Sequence, residues 1–355
     1  MNIFDMIKVG DVLEKVSRQA KVRKADYQDT GILPVIDQGK DYVGGYTNNV
    51  GQRYNGPLPV TIFGDHTRIL KWVDRPFAVG ADGTQLLRAD KRFDQRFFYY
   101  ALSAVHLQHF GYERHFKYLK EKFIPLPDLP TQRKIAAILG AYDDLIENNL
   151  RRIKILEEMA QSLYREWFVH FRFPGHESTR FVDSPLGKIP EGWEVKKLGD
   201  VLELKYGRAL KKKDRMGGPF PVFGSSGIIG NHNASIAQGP GIVVGRKGNV
   251  GSVFWSDSDF FVIDTAYFVE SQLPLRFLFY LLPTLNFINS DAAVPGLSRQ
   301  QAYCLEILVP PADLLSKFCI FAGIFEGQAS LLQRRNQTLR QTRDLLLPKL
   351  LSPKN

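Results

Sequence analysis

The chain has 355 residues, 44% hydrophobic and 12% aromatic, which is enough for two or three domains with their own cores and too apolar for a disordered chain. Its two cysteines are too few for a disulfide framework or a zinc site, its first residues lack a signal-peptide layout, and no apolar run approaches the roughly 18 residues that cross a bilayer. A cytoplasmic protein is expected. The formal charge of +10 points to a polyanionic partner, but it is spread as +4 over residues 1–129, 0 over 130–170, +2 over 171–311 and +4 over 312–355, so any binding site has to be a local cluster.

Up to residue 128, short strand-like runs alternate with glycine turns. Ile32-Leu33-Pro34-Val35-Ile36 precedes the glycine-rich stretch from Gly39 to Gly45, and Val60 to Phe63 ends in the turn Gly64-Asp65-His66. Arg96 to Leu102 reads as a buried helix, and Phe123 to Pro127 as an extended exit. Pro130 then opens a helix near its first turn. Ile135, Leu139, Tyr142, Ile146, Asn149, Ile153, Leu156, Ala160, Leu163 and Trp167 follow at alternating spacings of four and three, a heptad seam that demands a partner along its length. Residues 174–192 read as a linker.

The first segment's signals then recur in the same order. Val9-Gly10-Asp11-Val12-Leu13-Glu14 returns as Leu198-Gly199-Asp200-Val201-Leu202-Glu203, Val60 to Gly64 as Ile242 to Gly245, and Arg96-Phe97-Phe98-Tyr99-Tyr100 as Arg276-Phe277-Leu278-Phe279-Tyr280. Shifted by 183, the seam lands on Phe318, Ala322, Phe325, Ala329, Leu332, Asn336, Leu339, Arg343, Leu346 and Leu350. This second helix is the partner of the first, and Pro348 is expected to end it near Leu347. If the two pair antiparallel over their full length, Asn149 faces Asn336; otherwise either amide sits at a solvated edge.

Catalytic constellations are missing. The run Gly239 to Gly248 lacks the spacing and Gly-Lys-Ser/Thr ending of a phosphate loop and reads as a turn between strands. His106 and His109, on a helix by this reading, and the nearby His115 have no accompanying HExxH pattern and read as structural or surface residues. The basic residues stand out instead. Lys15, Arg18, Lys21, Arg23 and Lys24 follow the first Gly-Asp-Val-Leu-Glu, and Lys205, Arg208, Lys211, Lys212, Lys213 and Arg215 follow the second. One such run is ordinarily a solvated face; two at equivalent places suit phosphate neutralisation and, through arginine, the reading of guanine edges. Arg68 in the first copy, and Arg246 and Lys247 in the second, lie just beyond Gly64 and Gly245, where backbone could approach a duplex closely.

These motifs together resemble the specificity subunits of type I restriction–modification enzymes over nearly the whole chain. The likeness rests on the repeated Gly-Asp-Val-Leu-Glu, Phe-Gly-Asp-His-Thr at 63–67, Gly-Arg-Lys-Gly at 245–248 and Ile-Pro-Leu-Pro ahead of Pro130-Thr131-Gln132-Arg133. Pro190-Glu191-Gly192-Trp193 and the run from Leu345 to Ser352 add to it, while Pro311-Ala312-Asp313-Leu314-Leu315 departs from the expected helix start. The resemblance implies an α+β protein: two mixed α/β target-recognition domains separated by two long antiparallel coiled-coil helices, in a pseudo-two-fold repeat. The expected division is residues 1–128, helix 129–172, linker and second domain 173–310, and helix 311–355. It also implies a non-catalytic subunit that reads a bipartite, asymmetric site on double-stranded DNA and docks two methyltransferase subunits, with restriction/translocase subunits joining. S-adenosylmethionine, ATP and magnesium would belong to those partners. A coiled-coil adaptor that does not bind DNA, or a recognition region split from a methyltransferase–nuclease fusion, are the competing readings.

Overall fold

A computed structural model describes residues 4–16, 19–108, 113–215, 217–287 and 296–352. The chain forms two compact units, Met1–Leu150 with Gln333–Asn355, and Arg151–Leu332, so the divide runs through the long helices and not at their ends. Arg18 and His109 lie outside the described residues.

Unit 1 contains strands β1 (Asp5–Lys8), β2 (Lys21–Val22), β3 (Leu33–Ile36), β4 (Gly45–Thr47), β5 (Val60–Gly64), β6 (Leu70–Val73), β7 (Ala78–Gly80) and β8 (Thr84–Leu87). Helices α1 (Gln95–Ser103) and α2 (Phe116–Lys120) follow, then β9 (Phe123–Leu126) and the long α3 (Leu129–Tyr164), which continues into unit 2. Its sheets are ordered β2-β7-β3-β4 and β6-β5-β8, with β1 paired to β9. The first strands of unit 2 are the hairpin β10 (Phe181–Ser184) and β11 (Gly187–Pro190), so the expected linker is partly folded. Then come β12 (Glu194–Lys197), α4 (Leu198–Val201), β13 (Leu202–Tyr206), β14 (Phe220–Gly224), β15 (Gly227–His232), β16 (Gly241–Gly245), β17 (Val253–Ser256), β18 (Phe261–Val262) and β19 (Ala266–Ser271). The unit closes with α5 (Leu275–Leu281), α6 (Arg299–Tyr303), β20 (Glu306–Val309) and α7 (Ala312–Leu351), which ends in unit 1.

The plan is the same twice: β6-β5-β8 corresponds to β17-β16-β19, and β4-β3-β7 to β15-β14-β18 with a parallel pairing at its end in each copy. The stretch expected as a turn after Gly239 is therefore β16 itself, buried throughout. The repeated Gly-Asp has a packing cause. Val9 and Leu198 are fully buried and donate their N–H groups to Lys122 and Leu305 at 2.8 Å in each case. A Cβ on Gly10 would lie 3.1 Å from the Lys120 carbonyl, and one on Gly199 would lie 2.7 Å from Tyr303 Cβ, so each glycine lets a short helix pack close.

Every residue of the predicted seam is buried or half-buried on both helices. In unit 1 the Asn149 amide donates to Asn336 Oδ1 at 2.8 Å, with Asn336 Nδ2 3.4 Å from the Ile146 carbonyl. In unit 2 Ile153 packs with Ala329 and Leu332. Numbers rise on one helix as they fall on the other, so the pairing is antiparallel. Asp128 caps α3 by accepting the Thr131 N–H at 3.0 Å, and the π turn Arg165–Val169 carries Trp167 and Phe168 into the core. The altered start of α7 still works, because the Leu314 and Leu315 N–H groups both bond the Pro311 carbonyl.

Pro348 does not end α7, which runs to Leu351. In the last turn proline sacrifices a single hydrogen bond, and the packing of Leu346, Leu347, Leu350 and Leu351 into the unit 1 core opposes that loss. By length and composition α7 is apolar enough to cross a membrane, which the short apolar runs of the sequence did not suggest; its Phe318, Ala322, Ala329 and Leu332 are buried in unit 2.

Each unit fastens a short helix to a long one by the same device. Arg96 donates to the Gly140 carbonyl at 3.1 Å and pairs with Asp144, while Tyr100, one turn along α1, donates to Asp143. In unit 2 Arg276 donates to the Cys319 carbonyl at 3.2 Å and to Glu326 at 2.7 Å, and Tyr280 donates to Glu326 at 2.9 Å. A Cβ would meet the guanidinium at 2.6 Å on Gly140 and at 2.9 Å on Gly323, so both glycines leave room for the arginine. Burial, reinforced by the acidic acceptors, pushes the Tyr100 and Tyr280 hydroxyls well above the usual phenol range.

Candidate nucleic-acid interface

The basic segments expected from the sequence divide into exposed and tethered residues. In unit 1 Lys15, Lys21, Arg23 and Lys24 are exposed, and Lys21 Nζ also donates to the Thr84 carbonyl at 3.1 Å. Arg68 is different: its φ is +62°, its N–H bonds the Gly64 carbonyl and its guanidinium donates to the Leu107 carbonyl at 2.8 Å, so it ties a turn together. In unit 2 Arg208, Lys211, Lys212 and Lys213 are exposed and make no ion pair among the described residues. Lys205 is held on β13 by Glu203 at 2.7 Å and Glu270 at 3.5 Å, and the Glu203 contact raises its pKa. Arg215 spends two N–H groups on the Leu210 carbonyl, at 2.9 and 2.6 Å.

Gly64 and Gly245 serve turn closure, which corrects the idea that they leave room for a duplex. A Cβ on Gly64 would lie 2.1 Å from Thr67 Oγ1, and one on Gly245 would lie 2.0 Å from the Asn249 carbonyl, and both glycines are buried. Next to Gly245 the structure assembles a site that the sequence only half disclosed. Arg246 and Lys247 line a cleft of about 350 Å³ with Tyr206, Tyr267, Gly296, Leu297, Ser298, Arg299 and Gln300. The Arg246 guanidinium lies 5.0 Å from the Tyr206 ring and that of Arg299 4.3 Å from it. Arg246 also donates to the Asp264 carbonyl at 3.0 Å, and Arg299 to the Leu204 carbonyl at 3.1 Å. Tyr206 and Arg299 were not legible as site residues, because the elements carrying them are nearly a hundred positions apart and meet only in the folded unit. The basic segment leaves from the rim of this cleft: Gly207 and Arg208 bond the Ala266 and Val262 carbonyls, and a Cβ on Gly207 would lie 2.1 Å from the Ile263 carbonyl.

His115 is fully buried, with Nδ1 3.0 Å from the Asp65 carbonyl, and His106 follows the end of α1 in a loop and not on a helix. Among the described residues no group of three or more His, Cys, Asp or Glu is placed to hold a metal ion. The interface offers charge, aromatic faces and hydrogen-bond donors, the chemistry of polyanion binding.

The family model for the type I restriction modification DNA specificity domain matches this chain twice, over residues 2–158 and 190–312. The chain belongs to that family. The two matched stretches hold the two copies of the sheet plan, each specificity domain carrying its own basic segment. Among curated relatives, the type I restriction enzyme MjaIX specificity subunit of Methanocaldococcus jannaschii is 30% identical over 261 residues, 65% of this chain and 60% of that protein. The EcoR124I/EcoR124II specificity subunit of Escherichia coli is 28% identical over 165 residues, 42% of this chain and 40% of that protein. The aligned part of the chain thus spans less than two thirds of either relative. The crystal structure of a type I restriction-modification system S subunit from M. genitalium has the same fold, with a TM-score of 0.62 at 18% identity, covering 100% of this chain and 97% of that one.

Proposed function

We propose that this chain is the non-catalytic specificity subunit of a type I restriction–modification complex in the cytoplasm, each specificity domain binding one half of a bipartite, asymmetric DNA site. One observation carries this reading: a single backbone plan occurs twice in one chain with different side chains at matching places, as two readers of unlike half-sites require. The exposed Lys15, Lys21, Arg23, Lys24, Arg208, Lys211, Lys212, Lys213 and Lys247, with the half-buried Arg246, supply phosphate contacts. The division into 1–128, 129–172, 173–310 and 311–355 assigns recognition to the globular parts and spacing to the helices.

Beyond the seam, α3 exposes Ile138, Leu145 and Met159, and α7 exposes Ile324, Leu331 and Leu345, each set at multiples of seven. Such second apolar stripes suit the docking of methyltransferase subunits, with restriction subunits completing the assembly. S-adenosylmethionine, ATP and magnesium then sit on those partners. Methylome sequencing of cells that express this chain with its methyltransferase subunit is the test. A gapped, asymmetric methylated motif is expected; an active methyltransferase that leaves no such motif overturns the proposal.

A further inference from the structure

We infer that the Tyr206–Arg246–Arg299 cleft of unit 2 is a phosphate site that grips the DNA backbone without reading its sequence, and that the described residues of unit 1 form no counterpart. The inference rests on the specificity-subunit reading and names the residues of one contact. Of the nine described residues that line it, three are cationic and none is acidic. Both guanidinium groups are held before any ligand arrives, each by one N–H on a backbone carbonyl and by the Tyr206 ring that they share. A planar cation fixed in this way keeps its remaining N–H groups for a phosphate's oxygens and loses little freedom on binding. Side chains that read base edges have to project into a groove. These two are tethered in a recess, and the anionic group that projects from a duplex into a recess is the phosphodiester.

The first copy shows what the same frame does without the cleft. Asp65 occupies the position of Arg246: its N–H bonds the Gly83 carbonyl as that of Arg246 bonds Thr265, and its carbonyl accepts the His115 N–H as that of Arg246 accepts Leu297. The Asp65 carboxylate turns inward, accepting the Phe116 N–H at 2.8 Å and a Gln85 N–H at 3.3 Å. Where α6 opens on Arg299, α2 opens on Phe116, which packs against Phe63. An acid and a phenylalanine thus stand where unit 2 has two arginines.

The test uses the full chain assembled with its methyltransferase subunits, and duplexes carrying either the methylated motif or a scrambled one. Affinity is measured across a salt series for wild type, Arg246→Gln, Arg299→Gln and Arg299→Lys, with Lys188→Gln, an exposed lysine outside the cleft, as the charge control. Each arginine-to-glutamine change is expected to weaken both duplexes alike, about tenfold, and to reduce the salt slope by about one. Arg299→Lys, which keeps charge but loses the planar stack, should keep the slope and lose part of the affinity, and Lys188→Gln should change neither. An unchanged slope in both glutamine variants, or discrimination lost at a single base pair, overturns the inference. So does saturable competition by inorganic phosphate at fixed ionic strength combined with variants that leave duplex binding intact, because the cleft would then serve a free anion. Wild-type protein that bound both duplexes equally would overturn the specificity reading, while the slope comparison would still decide the cleft.

Discussion

At matching positions the two units choose opposite materials. Shifted by 183 residues, the Asn149–Asn336 pair of unit 1 becomes Leu332 against Ile153 in unit 2. Arg343, which joins Tyr100 on Asp143 in unit 1, becomes the buried Ala160, and Asp143 becomes Glu326. Gln132, fully buried and bonded to the Asp94 N–H and to the Arg92 and Pro127 carbonyls, becomes the buried Leu315. On the sheet, Lys71 is 4% exposed beside Asp37, and its register partner in the other copy is Phe254. Burial drives the Lys71 pKa down, with Asp37 only partly opposing it. Satisfied polar pairs add little net stability, but they penalise every misregistered alternative. Unit 1 therefore carries the register and unit 2 carries the cohesion.

The strongest blow to this contrast falls on unit 2. Phe318 is fully buried against Tyr164, Trp167, Phe168 and Tyr280. Phe318→Ala should cost about 3–5 kcal/mol, with hydrogen-exchange protection falling first over residues 151–332. Next, Asp143→Ala should cost about 1–3 kcal/mol, since it strips Tyr100 and Arg343 of an acceptor together. Glu326→Ala strips Tyr280 and Arg276 in the same way, but both donors lie on α5, so among the described residues it breaks a tie to one helix where Asp143→Ala breaks ties to two, and it should cost less. Equal losses in denaturant titrations of the two variants would erase the distinction.

Asn149→Leu with Asn336→Leu rebuilds unit 1 in the style of unit 2. The double variant should gain about 1 kcal/mol or stay neutral, while cysteine cross-links placed along α3 and α7 report more than one register. A stabilised helix pair with a single register would remove the role assigned to the amides. The smallest effect concerns pH. Tyr100 and Tyr280 have raised pKa values when folded, so the unfolded chain releases these protons first as pH climbs past the ordinary value of 10.0. Their contribution is intact below that value and is lost above it. Tyr280→Phe should flatten part of the alkaline loss in unit 2 as followed by circular dichroism, and leave stability near neutral pH almost unchanged.

The seam, the repeat and the Asn149–Asn336 register were legible because they are periodic: a heptad needs only spacing, and a repeat needs only order. The clamps were not, because Arg96 reaches Gly140 and Arg276 reaches Cys319 across more than forty residues, with no pattern linking them. The same holds for Arg299 on Tyr206, where two elements far apart in the chain meet in one cleft. Among the basic residues, sequence supplied the charge but not its use. Lys205, Arg215 and Arg68 look like Lys211 or Arg208 in a string of letters, and only the fold shows them tied to Glu203, Leu210 and Leu107. Pro348 misled for a related reason, since the leucines around it are held by a core whose other buried residues lie more than two hundred positions earlier.

That core also sets an order of events during synthesis. Unit 2 is continuous from Arg151 to Leu332, whereas unit 1 needs Gln333 onward to close over residues that emerged much earlier. Until Leu346, Leu347, Leu350 and Leu351 arrive, the core that holds Ile135, Ala136 and Leu139 lacks its last side chains. The second-made unit can thus close before the first, whose apolar surface stays uncovered until the end of α7 reaches it, the stage at which a chaperone acts on it.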